Sequence, residues 1–249
     1  MRLLDRLLGK SGRALHDFSF LGTDMHAHLI PGIDDGAPDM ETAVALVRAL
    51  RGMGYTRLIA TPHVMADLYP NTTDIIQTGV QKLQKAVRAA GIDVQITAAA
   101  EYLMDEAFGE KIEQGNLLTL AEGQVLVEMS FIAPPPQLFE YLFRLQTAGY
   151  RPVLAHPERY EFYRGDMQAF ERLVDAGCRL QVNLLSLTDY YGRSVRQTAR
   201  QLLAAGWVAY LGTDLHHDRH VDRLQALLND RKTGRLLANY SFQNQNLIP

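Results

Sequence analysis

The chain has 249 residues, 47% of them hydrophobic and 21% charged, with a formal net charge of -3. That composition suits one globular domain with a sizeable core. It offers no basic stripe for nucleic acid and no apolar run near the roughly 20 residues of a membrane span. The single cysteine, Cys178, excludes an internal disulfide and fits a reducing cytoplasm. Its apolar setting reads as a buried small side chain rather than a nucleophile.

Residues 1–15 place Leu3, Leu4, Leu7 and Leu8 at helical spacing among Arg2, Arg6, Lys10 and Arg13, without the continuous apolar core of a signal peptide. We expect an amphipathic N-terminal extension over residues 1–20, packed on the domain or on a partner, and a single domain over 21–249. A first strand is expected at residues 21–25. A helical stretch with Met40, Ala43, Val44 and Val47 then ends near Gly54, before a strand at 57–61. The same grammar repeats: Gly91 before 94–97, Gly149 before 152–155, Gly177 before 180–183, and Gly206 before 208–211. Glycine at such points takes the left-handed conformation that stops a helix and lets the chain enter a strand. With a further strand at 124–127, seven apolar strands alternate with helices, which predicts a parallel sheet of βα units. The fold class expected is α/β, a distorted TIM-like (β/α)7 barrel, with a doubly wound open sheet as the alternative.

Metal-type ligands stand at the carboxyl ends of six of these strands. They are Asp24-Met25-His26-Ala27-His28, His63, Glu101, Glu128, His156-Pro157-Glu158-Arg159, and Asp214-Leu215-His216. Only the strand ending near Asn183 lacks an obvious one. Parallel barrels gather their active sites at this face. Side chains two apart in extended chain point the same way, so His26 with His28, and Asp214 with His216, can each grip a cation from one side. Imidazole and carboxylate together suit Mn, Fe, Co or Zn better than Ca or Mg. A lone His63 or Glu128 is usually structural; the same residue types at six strand ends point to a metal centre. His16 is expected at the surface, and His217 and His220 at the rim of the site.

The run Asp24-Met25-His26-Ala27-His28 through Asp34-Asp35-Gly36-Ala37 resembles the opening signature of the bacterial manganese-dependent protein-tyrosine phosphatases. These belong to the PHP (polymerase and histidinol phosphatase) superfamily and act in capsule and exopolysaccharide regulation. The resemblance continues through Ala60-Thr61-Pro62-His63, Ala99-Ala100-Glu101, Leu126-Val127-Glu128, His156-Pro157-Glu158-Arg159-Tyr160 and Gly212-Thr213-Asp214-Leu215-His216, over residues 22–228. It implies a PHP-type barrel with three divalent metal ions, manganese foremost. His26, His28, Glu101 and Asp214 would hold one. Glu101 would bridge to a second with Glu128 and His156, and Asp35, His63 and His216 would hold the third, with Asp34 as the alternative to Asp35.

Two arginines, Arg159 and Arg219, each stand three residues beyond a histidine of this set. Guanidinium forks match phosphate oxygens, so both are candidate phosphate-binding residues. Cys178 lacks the Cys-x5-Arg pattern of thiol phosphatases. The implied reaction is metal-assisted hydrolysis of phosphotyrosine on a protein, a bacterial tyrosine kinase by resemblance, in the cytoplasm. The rival readings are a small-molecule phosphatase such as histidinol-phosphate phosphatase, and a metal-binding domain without activity.

Overall fold

Parallel strands alternating with helices organise residues 15–248, the part of the chain that the computed structural model describes. The elements are β1 (Thr23–Ala27), α1 (Met40–Gly52), β2 (Arg57–Ala60), β3 (His63–Val64), α2 (Thr73–Ala89), β4 (Gln95–Ala98), β5 (Glu101–Leu103), α3 (Phe108–Gln114) and β6 (Gln124–Glu128). They continue with α4 (Leu138–Thr147), β7 (Arg151–Ala155), α5 (Met167–Asp175), β8 (Arg179–Asn183), α6 (Arg193–Ala204), β9 (Val208–Gly212), α7 (Asp218–Leu228) and α8 (Arg231–Leu237).

Local chemistry sets the helix limits. The Asp39 carboxylate accepts from Thr42 N at the start of α1, and the Thr72 hydroxyl from Ile75 N at the start of α2. Ala43, Leu46, Val47 and Leu50 then form the buried stripe of α1. All five glycines expected to end helices have left-handed φ, from 70° at Gly91 to 100° at Gly54. Gly22, also left-handed, holds the first strand back to β1, so His26 lies inside that strand rather than after it.

The nine strands form seven staves. Thr61-Pro62 interrupts β2/β3, and Ala99-Ala100 interrupts β4/β5, because Pro62 has no N–H for a ladder. Pairing resumes across each break, with Ala99 N donating to Ala60 O (2.9 Å) and Glu101 N to Pro62 O (3.0 Å). The sheets run β1-β2-β4 and β3-β5-β6-β7-β8-β9, every pair parallel. The last stave returns beside the first: Asp214 N donates to His26 O (2.8 Å) and His28 N to Leu215 O (2.9 Å). This is the TIM-like α/β arrangement expected. Alternation divides the core in two. Val125, Val127, Leu154 and Leu180 belong to the layer shared with the helices, while Met25, Ile59, Leu126, Val153 and Tyr210 form a smaller cluster of opposite parity inside the ring.

Below those two backbone bonds, side chains join β1 to β9. The Asp24 carboxylate accepts from Thr213 N (3.1 Å) and Thr213 Oγ1 (2.5 Å). Asn244, fully buried, donates to Thr23 O (3.0 Å) and Leu211 O (2.6 Å) and accepts from Leu211 N (3.1 Å). One amide side chain thus replaces the missing ladder.

Phe18 is buried, with its ring 5.6 Å from that of Tyr55, so packing begins before the expected boundary at residue 21. The expected amphipathic helix falls largely on residues 1–14, outside the described residues. Among the described residues no helix is long and apolar enough to cross a membrane.

Replacing Asn244 by alanine strands three buried backbone groups and should cost about 2–3 kcal/mol of unfolding free energy. Denaturant titration checks this; a loss under about 0.5 kcal/mol would mean that water closes the seam equally well.

Candidate metal centre

The barrel brings together the nine side chains expected as ligands. His26 and His28 come from β1 and its carboxyl end, His63 and Glu101 from the resumed strands β3 and β5, and Glu128 from the end of β6. His156 follows β7, Asp214 and His216 follow β9, and Asp35 lies in the loop after β1. All are buried or nearly so except Asp35, whose side chain is 55% exposed. Two of them sit where the backbone is left-handed, His156 at φ 35° and Asp214 at φ 52°. Non-glycine residues tolerate this conformation only where the surroundings enforce it, and here it turns each side chain into the cluster. Gly36 is required by space: a Cβ there would lie 2.3 Å from His28 O, so any side chain would displace the loop carrying Asp35.

The spacing of donor atoms fits divalent cations. Atoms about 2.1 Å from one ion lie about 3.0 Å apart across an octahedral edge and about 3.4 Å across a tetrahedral one. His26 Nε2 is 3.2 Å from Glu101 Oε2, 3.3 Å from Asp214 Oδ1 and 3.3 Å from His28 Nε2. His28 Nε2 is 3.4 Å from Glu101 Oε2 and 3.5 Å from Asp214 Oδ1. The other Glu101 oxygen is 3.0 Å from His156 Nε2, which is 3.9 Å from Glu128 Oε2. Asp35 Oδ1 lies 3.4 Å from both His63 Nε2 and His216 Nε2. Buried lone pairs support the same reading. Glu101 Oε2 and Glu128 Oε1 lack an aligned hydrogen-bond donor, although His63 Nδ1 comes within 2.8 Å of the latter. Such atoms are costly unless a cation satisfies them.

The electrostatics agree. Burial alone would push the His26 imidazole down, but the Glu101 and Asp214 carboxylates outweigh it and hold it at about 9. Burial also opposes the charge on Glu101; the His26 and His63 rings reverse that and keep it well below the usual carboxylate range. Glu128 is pushed up by burial and by the charge of Glu101. Carboxylates that raise the basicity of their neighbours this way offer the same field to a metal ion.

A second ring of residues aims the first. Asp34 accepts from His63 N (3.2 Å) and Gly36 N (3.0 Å), and its other contact is His28 Nδ1 at 2.8 Å. It therefore orients a histidine, while Asp35, preferred to it from the sequence, faces the cluster. Gln181 Oε1 meets His26 Nδ1 at 2.8 Å, and Asn183 Nδ2 donates to Asp214 Oδ2 at 2.7 Å. Gln181 Nε2 donates to Asn183 Oδ1 (2.8 Å), and Glu158 accepts from Asn183 N (2.9 Å). The one strand without candidate ligands thus supplies two of the three orienting side chains. Sequence reasoning missed both residues, although two polar side chains at i and i+2 of an otherwise apolar strand were a usable signal.

Arg159 donates to Asp214 Oδ2 (2.9 Å) and lines a cleft over the cluster together with Phe131, Tyr190 and Tyr191. Arg219 differs from the expectation. It is exposed on the first turn of α7 and does not line the cleft, because neighbouring His220 takes the inward position and successive helical residues point about 100° apart. His217 and His220 do line the cleft, and His16 is exposed, as expected. Cys178 is buried, which pushes its thiol up to about 12 and leaves no thiolate for catalysis.

A family model described as capsular polysaccharide synthesis, CpsB/CapC, matches residues 22–233. The chain is 27% identical over 195 residues to tyrosine-protein phosphatase YwqE of Bacillus subtilis, covering 78% of this chain and 77% of that one. To tyrosine-protein phosphatase CpsB of Streptococcus pneumoniae it is 25% identical over 202 residues, covering 78% and 82%. A chain from the crystal structures of YwqE and CpsB, described there as metal-dependent tyrosine phosphatases, has the same fold. It superposes with a TM-score of 0.78 at 24% identity, over 91% of this chain and 95% of that one. On the strength of the family match, which takes in every candidate ligand, the chain belongs to the CpsB/CapC family of capsular polysaccharide synthesis proteins.

Proposed function

We propose that the protein is a metal-dependent protein-tyrosine phosphatase. The observation that carries this reading is the convergence of five histidines and four carboxylates with the guanidinium of Arg159, which is paired to one of those carboxylates. Three divalent ions, manganese foremost, would occupy the site. His26, His28, Glu101 and Asp214 would hold one; Glu101, Glu128 and His156 a second; Asp35, His63 and His216 a third. The relatives named tyrosine-protein phosphatases support phosphotyrosine as the substrate. The substrate protein is a bacterial tyrosine kinase of capsule or exopolysaccharide synthesis, met in the cytoplasm.

Cations at such a site lower the pKa of an attacking water and neutralise charge on phosphoryl oxygens. The chain supplies the rest. Arg159 presents a planar fork to the phosphoryl oxygens beside Asp214, and Asn183 keeps that carboxylate aimed while the arginine engages substrate. Gln181 and Asp34 fix the ring orientations of His26 and His28, so that an Nε2 of each faces inward. The leaving phenol has an ordinary pKa near 10, so it departs with less proton assistance than an alcohol.

Protein stripped by chelation should lose turnover of a phosphotyrosine peptide and regain it with Mn2+, while histidinol phosphate remains a poor substrate. Full activity after verified metal removal would sink the reading. His156→Ala should lower kcat by more than about 100-fold, and Gln181→Ala should weaken metal affinity or turnover by about 10–100-fold with the fold intact by circular dichroism. Arg159→Ala should lower kcat/KM by about 100- to 1000-fold without loss of bound metal, which elemental analysis checks.

A further inference from the structure

One wall of the cleft carries more aromatic surface than metal binding requires. Phe131, in the loop after β6, lies over His156 with ring centroids 5.7 Å apart and planes within 18°. The Arg159 guanidinium stands 4.9 Å from the centre of the same ring and 4.6 Å from that of Tyr191. Tyr190 in turn meets Tyr191 edge-on at 4.7 Å. The order Phe131, Arg159, Tyr191, Tyr190 makes a continuous band beside the ligand cluster. Cation–π contact accounts for Tyr191 and for the part of Phe131 that faces the arginine. It does not account for the rest, since Phe131 is 48% exposed and Tyr190 37% exposed, both at the mouth of a polar cleft.

We propose that this band selects aryl over alkyl phosphomonoesters: the ring of the substrate packs on Phe131 and Tyr190 while its phosphoryl oxygens meet Arg159 and the ligand cluster. The inference rests on the phosphatase reading above and adds the groups that recognise the organic half of the substrate. Two physical arguments support it. Ring-to-ring contacts favour an aryl group over an alkyl chain carrying the same charge. Placement acts in the same direction, because Phe131 and Tyr190 line the same cleft as Glu128, His156 and Asp214.

Phenylphosphonate and methylphosphonate test the wall without hydrolysis, which separates ring binding from leaving-group chemistry. On Mn-loaded wild-type protein, phenylphosphonate should inhibit phenyl phosphate turnover about tenfold more strongly than methylphosphonate. Phe131→Ala and Tyr190→Ala should each cut that ratio by about threefold or more, while Phe131→Tyr preserves it. Phe139→Ala, an exposed aromatic on α4 outside the cleft lining, should leave the ratio unchanged. Metal content is measured on every variant, so loss of ions is not read as loss of ring contact. Equal inhibition by the two phosphonates in the wild type, or an unchanged ratio in both alanine variants, overturns the proposal. Loaded protein that turns over no phosphomonoester contradicts the phosphatase reading instead; calorimetry of the two phosphonates then measures the ratio directly and decides on the wall alone.

Discussion

Glu101, Glu128 and Asp214 are three buried carboxylates within a few ångströms of one another's partner imidazoles, at the floor of the cleft. Like charges in such a medium repel strongly, and the loss of hydration adds several kcal/mol for each. No apolar packing around them offsets that. Only positive charge among them does, whether carried by imidazolium protons or by metal ions. The raised basicity of His26 and the depressed carboxyl of Glu101 are both expressions of this mutual need.

The surrounding architecture follows from holding that cluster at fixed geometry. Left-handed backbone at His156 and Asp214 costs conformational energy, which the hydrogen bonds of the neighbouring strands absorb. Asp34, Gln181 and Asn183 contribute nothing to the hydrophobic core. Their work is to limit which way each ligand can face. The Pro-Glu-Arg turn does three things at once: Pro157 ends the strand, Glu158 ties the turn to β8, and Arg159 crosses to Asp214.

Much of this was legible in the sequence because it depends on local chemistry. The helix-ending glycines and the apolar strands give the βα rhythm, and the parallel rhythm fixes the face at which ligands gather. The candidate ligands were readable as residue types at strand ends. What was not legible depends on long-range contact. That Asp34 meets His28 Nδ1 is a matter of loop geometry rather than order. Gln181 and Asn183 acquire their roles only when β8 is placed beside β1 and β9. Arg219 looked equivalent to Arg159 by its spacing from a histidine. One sits in a tight turn and the other on a helix, and the same three-residue step leads in different directions.

The side-chain seam between β1 and β9 bears on how the molecule comes to exist. Thr213 and Asp24 meet across 189 residues of chain, and Asn244 and Thr23 across 221. Closing so long a loop has a large entropic barrier and rewards the chain only when it is complete, which places this junction late in folding. His26 and His28 lie on one side of the seam, Asp214 and His216 on the other. An intermediate with this junction open would hold His26 and His28 apart from Asp214 and His216, while Glu101, Glu128 and His156 already stand together on neighbouring strands. An ion gripped from both sides of the seam would therefore add its binding free energy to the closure of the ring.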